Sequence, residues 1–283
     1  MARAAVAWSA LPDLRGVAAV LGREPGELGE AAAALPAGIA GVALVEGGVV
    51  RAAGLLVRSD LPRAGRCSLV WLSAPEAPAA LELVAAAEAR ARAEGARALV
   101  VGERRVRGAG PLLAARGYAQ ANAMVRMRRT RRRPALPLPA GLAERSLAEV
   151  GLDAWVAIEN AAFEEVPFAV RVTRADAERQ AAARSFDAPL LRFLSDAGGV
   201  CGMLRGVMGR DGTGEVESIG LVSAARGRGL GRWLLRRCEA LLDARRPREV
   251  VLRVAASNAP ALALYRAEGY EEVARDVAWE RAL

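Results

Sequence analysis

The chain has 283 residues, 53% hydrophobic and 25% charged, a globular composition with enough length for two ordinary domains. It contains no histidine, and all 40 basic residues are arginine, which excludes Ser-His-Asp and Cys-His catalysis, imidazole-bound metals, Schiff-base lysines and P-loop lysines. The net charge is +8, but arginine replaces lysine throughout, so we interpret the arginines as ordinary surface and do not expect nucleic-acid binding.

In the first half of the chain, apolar runs separated by turn residues predict alternating strands and helices. Strands are expected at 41–45, 52–57 and 68–72, the first two as a hairpin. An alanine-rich helix at 79–94, a strand at 98–101 and a short helix that ends at Gly117 follow. This order predicts a mixed α/β domain.

Proline and arginine are concentrated in the middle of the chain. Three consecutive arginines are followed by Pro134, Pro137 and Pro139, and closely spaced prolines favour extended backbone over helix. We therefore predict a linker at 131–142, between one domain at 1–130 and a second at 143–283.

The second half predicts a similar succession of elements. Helices are expected at 152–163, 176–185, 229–242 and 259–267, and strands at 190–194, 200–208, 215–222, 250–254 and 273–279. The turn pair Asp211-Gly212 predicts that the strands on either side form an antiparallel hairpin. The closing segments LLAARGY (112–118) and LYRAEGY (264–270) match at an offset of 152, which indicates two copies of one fold.

The strongest chemical signal is a glycine-rich loop between a strand and a helix, LVSAARGRGLGRWLL at 221–235. Amide N–H groups at a helix N-terminus lack intrahelical partners and favour anions, and glycine lets a ligand approach the backbone. The segment therefore predicts a phosphate-binding loop. The dinucleotide-binding motif G-x-G-x-x-G does not match, because its third glycine would fall on residue 232, which is arginine. The P-loop motif does not match, because it requires a lysine and the chain has none. The alternative is a helix-capping turn whose arginines face solvent.

Two motifs together carry a family resemblance. R-x-x-G-x-G, at Arg226, Gly229 and Gly231, resembles the pyrophosphate-binding motif of the GNAT N-acetyltransferases. N-x-x-A-x-x-L-Y-x-x-x-G-[FY], from Asn258 to Tyr270, follows the next predicted strand and matches that superfamily without a mismatch. The resemblance implies an α/β (α+β) fold for 143–283, with a mixed, mostly antiparallel sheet flanked by helices. It also implies transfer of an acetyl group from acetyl-CoA to a primary amine.

The same resemblance implies roles for individual residues. Backbone groups of Ile219, Gly220 and Leu221 are expected to pair with the pantetheine arm, which Asn258 also hydrogen-bonds. The diphosphate is expected on the loop residues Arg226, Gly227, Arg228, Gly229, Leu230 and Gly231. Tyr265 is expected to protonate the leaving thiolate as a general acid, the alternative being a tyrosine that packs on Tyr270.

A carboxylate must accept the proton of the attacking amine. Neutralising an alkylamine at pH 7 costs roughly 4–5 kcal/mol, whereas an α-amino group costs only about 1 kcal/mol. Glu215 and Glu217 lie on the strand before the loop, where members of the family often hold a catalytic glutamate. The residues alone do not rank the two, and the alternative for either is a solvated strand residue. Glu164 and Glu165, within the segment 163–168, are candidates for attracting a cationic acceptor, or ordinary exposed carboxylates.

The first copy lacks the chemical motifs of the second. At the offset of 152, Val106 and Leu113 stand where the second copy has Asn258 and Tyr265, and the loop after 68–72 has no R-x-x-G-x-G. We therefore expect a degenerate GNAT-like domain at 1–130 without CoA. Tandem copies are similar to those of mycothiol synthase, which acetylates an aminosugar-linked cysteine, but many other members of the superfamily are also tandem.

Several properties stay open or are expectations from composition. The acceptor is a small-molecule or peptide amine, and the oligomeric state is open, a homodimer included. A CoA-binding scaffold without turnover is the alternative function, and a basic nucleic-acid binder is a third. The scattered Cys67, Cys201 and Cys238 predict buried thiols in the cytoplasm and no metal site. The longest uncharged stretch, 31–45, is too short to span a membrane.

Overall fold

The computed structural model describes residues 3–33, 35, 38–58, 60–102, 109–164, 171–183 and 186–283. These residues form two compact units, one of Met1–Ala123 with Asp276–Leu283 and one of Met124–Arg275. Each unit is a mixed sheet with helices, so the predicted fold class is confirmed.

The first unit contains a mostly antiparallel sheet. Its strands are β1 (Arg3–Ala7), β2 (Ile39–Glu46), β3 (Val49–Val57), β4 (Arg66–Ser73), β5 (Ala98–Gly102) and the start of β6 (Ala119–Arg129). Its helices are α1 (Arg15–Leu21), α2 (Pro25–Ala33), α3 (Leu61–Ala64), α4 (Ala77–Ala93) and α5 (Ala109–Ala115). The strands from β1 to β5 are neighbours in chain order, and only β4 and β5 run parallel.

The second unit, with the rest of β6, repeats this plan. Its elements are β7 (Ala143–Ser146), α6 (Leu147–Ala162), α7 (Arg174–Ala182), β8 (Leu191–Asp196), β9 (Gly199–Met208), β10 (Thr213–Leu221), α8 (Leu230–Asp243), β11 (Glu249–Ala255), α9 (Ala259–Ala267) and β12 (Tyr270–Ala282). The strand order is β6-β11-β10-β9-β8-β7, and of the pairs in this series only β10 and β11 are parallel. The predicted hairpin around Asp211-Gly212 is confirmed by the β9–β10 pair.

Helices cover both faces of the second sheet. Alternation along β9 sends Met203 into a core with Trp155 and Ile158 of α6, and Leu204 into a core with Leu234 of α8. A capping box sets the start of α6, because the side chains of Ser146 and Glu149 each accept a hydrogen bond from the other's backbone N–H group at the first turn.

The expected linker at 131–142 lies within the second unit. Its prolines exclude helix, and the segment is extended. Two hydrogen bonds fix it to the second unit: Arg133 donates to the carbonyl of Ala267 at 3.0 Å, and Arg236 donates to the carbonyl of Pro134 at 3.4 Å. The end of β12 belongs to the first unit, where 278–282 pair with β5. Strand pairing thus sets the limits of the compact units, and the domains at 1–130 and 143–283 stay a prediction.

Every predicted helix and strand is present, with shifted ends. Several described elements were not predicted: β1, α1, α2, α3, β6 and β7. The strand β6 shows why, because its sequence AQANAMVRMRR contains few β-branched or aromatic residues and many that are depleted in strands. Pairing with β11 makes it a strand despite its composition.

A buried tyrosine–glutamate hydrogen bond is present in each unit. The hydroxyl of Tyr118 donates to Glu88 of α4 at 2.8 Å, and that of Tyr270 donates to Glu239 of α8 at 2.7 Å. All four residues are buried, and the two tyrosines are those matched at the offset of 152. Together with the shared element order, this pair supports duplication of one fold.

The three cysteines are buried and free of disulfides, as the sequence predicts. Among the described residues, no helix has both the length and the apolar composition needed to cross a membrane. The same residues contain no cluster of three or more acidic, cysteine or histidine side chains suited to a metal ion.

Replacing Tyr270 with Phe should lower the free energy of unfolding by about 1–3 kcal/mol, because the buried carboxylate of Glu239 loses its hydroxyl donor. Urea unfolding followed by circular dichroism measures the loss. Tyr265→Phe is the matched control, since no described group hydrogen-bonds that buried hydroxyl and the variant should lose much less. Equal stability of the wild type and Tyr270→Phe would contradict the assignment.

Candidate active site

The candidate site is a cavity of about 510 Å³ at the carboxyl ends of β10 and β11 in the second unit. These two parallel strands pair from Thr213 and Glu249 only as far as Val216 and Leu252. Beyond that point β10 continues on β9 as far as Leu221, while β11 continues on β6. The strands therefore part, and the opening leaves room for a ligand between them. Residues lining the cavity are Ala162, Phe163, Ile219, Gly220, Leu221, Arg226, Gly227, Gly229, Leu230, Gly231, Ala255, Ser257, Asn258, Pro260, Ala261, Leu264 and Tyr265.

A bulge falls where the strands part. The pairing of β10 with β9 shifts between Val216 and Ser218, so Glu217 is the extra residue. Bulges bend a strand and re-aim its side chains, and they are common beside active sites. The bulge interrupts the strict alternation by which the sequence places Glu215 and Glu217 on one face with Ile219 and Leu221.

The glycine loop is open to the cavity. Gly227 and Gly229 have φ values of 75° and 76°, a conformation that favours glycine, and no atom lies within 4 Å of a Cβ built on either. Gly229 is the N-cap of α8, so amide groups of the first turn of this helix lack intrahelical acceptors. The loop has the backbone geometry of an anion site at a helix N-terminus.

Two arginines of the loop have different surroundings. Arg226 lines the cavity and donates to the carbonyls of Leu221 and Ala162, both at 3.3 Å, so its guanidinium links β10 to α6. Arg228 does not line the cavity; it is half exposed and lies 3.9 Å from Asp196. Of the residues predicted to bind the cofactor, Arg228 alone lies outside the cavity lining.

Gly220 allows the end of α6 to pack closely against β10. A Cβ at this position would lie 2.6 Å from the Cβ of Ala162 and 3.2 Å from the ring of Phe163. Only glycine lets the end of α6 pack directly on the backbone at this point. That packing closes one wall of the cavity while Ile219 and Leu221 remain in its lining.

Asn258 and Tyr265 lie on the opposite wall, on α9. Asn258 is the N-cap of that helix, and its side chain accepts a hydrogen bond from the amide of Ala261 at 3.1 Å. Tyr265 is 9% exposed, and burial raises the pKa of its hydroxyl to about 12. With this pKa the hydroxyl is protonated at neutral pH, and no described group hydrogen-bonds it.

The two predicted carboxylates lie outside the cavity lining, each paired with an arginine on a neighbouring strand. Arg253 of β11 donates to Glu215 at 2.5 Å, and Arg205 of β9 lies 2.8 Å from Glu217. The side chain of Glu217 is 42% exposed, whereas that of Glu215 is 26% exposed. Partial burial raises the pKa of Glu217, Glu215 raises it further, and Arg205 and Arg253 lower it.

Arg205 and its partners were not predicted. Its guanidinium lies 5.7 Å from the ring of Trp155 and 6.0 Å from that of Phe186, and it donates to Gln180 of α7. These contacts hold Arg205 against Glu217. We call Arg205, Glu217, Glu215 and Arg253 the charged row.

A third carboxylate, Glu159 of α6, lies close to this row. It accepts a hydrogen bond from the indole of Trp155 at 2.6 Å. Burial is the largest cause of the raised pKa of Glu159; the charge of Glu217 adds to it, whereas the charge of Arg205 opposes it. The i, i+4 spacing of Trp155 and Glu159 is the one sequence signal for this pair. Glu164 is exposed, and the rest of the predicted acceptor segment, 165–168, lies outside the described residues.

Comparison with known proteins identifies the family. A model of the acetyltransferase (GNAT) family matches residues 152–270. A mycothiol acetyltransferase from Acidothermus cellulolyticus is 33% identical over 269 residues, which cover 83% of this chain and 82% of the relative. The chain belongs to the GNAT acetyltransferase family. The resemblance drawn from the two motifs is thus confirmed.

Other GNAT relatives agree. A mycothiol acetyltransferase from Clavibacter michiganensis is 38% identical over 180 residues, 62% of this chain and 59% of the relative's length. Among solved structures, a GCN5-related N-acetyltransferase from Sphaerobacter thermophilus has a TM-score of 0.72 at 21% identity and covers 99% of this chain and 95% of its own. A tandem GNAT protein from the clavulanic acid biosynthesis pathway has a TM-score of 0.70 at 18% identity, and the match covers 99% of this chain and 98% of that protein. The tandem GNAT fold is thus confirmed.

Replacing Gly220 with Ala should lower the free energy of unfolding by about 1–3 kcal/mol, because the added methyl group meets backbone-anchored atoms of α6. Thermal unfolding measures the change. Gly26→Ala, in α2, is the control: nothing lies within 4 Å of its Cβ, so it should be neutral or slightly stabilising. If Gly220→Ala is as stable as Gly26→Ala, then α6 is not packed on β10 as described.

Proposed function

We propose that this chain is an acetyl-CoA-dependent N-acetyltransferase with one working site, in the second unit. The observation that carries the proposal is the cavity between the parted ends of β10 and β11, which combines an open glycine loop with a buried tyrosine. Acetyl-CoA would supply the activated acetyl group as a thioester, and the protein would bind and orient it and move the protons.

The residues present fit this donor. The N–H groups between Arg226 and Gly231 would hold the diphosphate, because φ values at Gly227 and Gly229 leave the loop free of side chains on that side. The backbone of β10 from Ile219 to Leu221 is released from β11, so its polar groups on that side can pair with the pantetheine amides. Arg226 would brace the loop through its two carbonyl contacts.

The charged row would accept the proton of the amine. Glu217 supports this role best, because it is the more exposed of the two carboxylates and its raised pKa makes it a better base than an ordinary exposed glutamate. Glu215 is the second candidate, paired with Arg253 at 2.5 Å. Arg205 would act as a positioning residue that orients Glu217.

Tyr265 would assist departure of the thiolate. With a pKa of about 12 the hydroxyl keeps its proton across the working pH range, so it can donate to the sulfur as negative charge develops. In the first unit, Leu113 occupies the matching position and cannot donate a proton. We therefore propose that the first unit is a degenerate copy without acetyl transfer.

We propose a small-molecule primary amine as the acceptor. The relatives from Acidothermus cellulolyticus and Clavibacter michiganensis are both named mycothiol acetyltransferase, which favours an acceptor of the mycothiol type. An aminosugar-linked cysteine carries an α-amino group, which needs only about 1 kcal/mol to be neutral at pH 7. The modest basicity of a carboxylate is sufficient for such an amine.

Replacing Gly231 with Val should weaken acetyl-CoA binding at least about tenfold, because the added side chain enters the cavity, where the built Cβ already lies 3.5 Å from Leu264. Gly229→Val should do the same by displacing a backbone with a φ of 76°. Isothermal titration calorimetry measures binding, with Gly26→Ala as the control. Wild-type affinity in both loop variants, or no binding by the folded wild type, would overturn the proposed function.

Removing the proton-transfer groups should lower kcat by about 10²–10⁴-fold while acetyl-CoA affinity stays near that of the wild type. The variants are Tyr265→Phe, Glu217→Gln and Glu215→Gln, measured by thiol release with a panel of amines that includes an aminosugar-linked cysteine. Because burial raises the pKa of Glu217, activity should fall as pH drops through that pKa, and Glu217→Gln should lack this limb. The glutamate whose removal costs more is the base.

The alternative function is that of a scaffold protein that binds CoA but does not catalyse acetyl transfer. Binding of acetyl-CoA by the wild type without acetyl transfer to any amine, together with no effect of Tyr265→Phe, would favour that function.

A further inference from the structure

A second cavity, of about 580 Å³, lies at the other end of β10 and β11 in the second unit. It is formed where β6 ends and where β10 and β11 begin. The residues lining it are Arg128, Arg129, Thr130, Arg131, Arg132, Asp211, Thr213, Pro247, Arg248, Glu249 and Val250. We call it the arginine cavity. The nine residues of β10 separate it from the glycine loop, a distance of roughly 25 Å at the rise of a strand.

The acidic groups at the arginine cavity are already engaged. Glu249 accepts from Arg126 at 3.2 Å. Asp211 accepts from the amide of Thr213 at 3.0 Å and from its hydroxyl at 3.1 Å. The donors in these hydrogen bonds are Arg126 and Thr213, and none of them is an arginine that lines the cavity.

Two of the lining arginines approach the carboxylate of Asp243, and one of them also lies 3.9 Å from Glu239. Arg129 is nearly buried and donates to both oxygens of Asp243, at 3.1 and 2.6 Å. Arg132 is 68% exposed and lies 3.6 Å from the same carboxylate. The charges of Arg129 and Arg132 are therefore offset by Asp243 and Glu239.

The other three lining arginines have no carboxylate within 4 Å in the described part of the chain: Arg128, Arg131 and Arg248. Arg248 donates to the backbone carbonyl of Asp211 at 3.1 Å, and its charge contributes to lowering the pKa of the Asp211 carboxyl from a distance greater than an ion pair. The cavity thus gathers at least three guanidinium charges in a concave surface, where the low-dielectric walls concentrate a positive potential.

We propose that the arginine cavity binds a compact, multivalent phosphate anion. Guanidinium groups present paired N–H donors whose spacing matches two phosphate oxygens, so several of them around one concavity suit a diphosphate-like group better than a single charge. The described residues of the lining include no aromatic ring, and therefore offer no surface on which an exposed nucleobase could stack. This favours a small anion over single-stranded nucleic acid.

The test is calorimetric titration of the full chain with inorganic pyrophosphate at several sodium chloride concentrations. Wild-type protein should bind with a salt-dependent affinity, and Arg128→Gln with Arg131→Gln and Arg248→Gln should weaken binding at least about tenfold. A matched control replaces three exposed arginines of the first unit, Arg15, Arg23 and Arg51, with Gln; it should bind within about twofold of the wild type.

The glycine loop is a second place where pyrophosphate could bind, so the double variant Gly229→Val with Gly231→Val is titrated as well. Retained pyrophosphate binding in this loop variant, with loss in the triple arginine variant, supports the arginine cavity. This outcome does not depend on whether the chain binds acetyl-CoA or transfers acetyl groups. The single variant Arg128→Gln, at an exposed strand residue, keeps the test decisive if the triple variant does not fold.

Three results would overturn the proposal. The first is wild-type pyrophosphate affinity in the triple variant and in Arg128→Gln. The second is binding that disappears in the loop variant and not in the arginine variants. The third is tight binding of a labelled single-stranded oligonucleotide that pyrophosphate does not displace and that the triple variant loses.

Discussion

Pairing between β10 and β11 ends at Val216 and Leu252, and the candidate active site depends on that ending. Beyond this point β10 stays paired with β9, and β11 stays paired with β6. The divergence of β10 from β11 therefore exposes backbone groups without disrupting either of these pairings. The bulge at Glu217 bends β10 at the same point. The opening, the released backbone of Ile219–Leu221 and the position of the charged row thus share one structural cause.

The charged row shows how a sheet can hold two carboxylates close together. Burial and the neighbouring Glu215 raise the pKa of Glu217, and Arg205 and Arg253 on the two neighbouring strands lower it. Arg205 is itself fixed between α6, α7 and β9 through Trp155 and Gln180. Arginine, the single basic residue type that the composition provides, thus supplies both positive charges of the charged row.

The two units differ in chemistry more than in framework. Both keep the parallel pair, the long helix that follows its first strand and the buried tyrosine–glutamate hydrogen bond. A buried carboxylate without its donor would destabilise either unit, so the pair is retained where packing needs it. The first copy has neither the glycine loop nor a tyrosine at the position of Tyr265.

The sequence determined the tandem fold, the family, the glycine loop and the helix bearing Asn258 and Tyr265, because each of these motifs is continuous in the chain. It left Glu215 and Glu217 unranked and gave no sign of Arg205, Arg253 or the arginine cavity. Tertiary structure alone brought these together, since strand register, the bulge and side-chain packing join residues that lie far apart in sequence. Periodicity specifies a face of an element, whereas the partner of that face depends on how the elements pair.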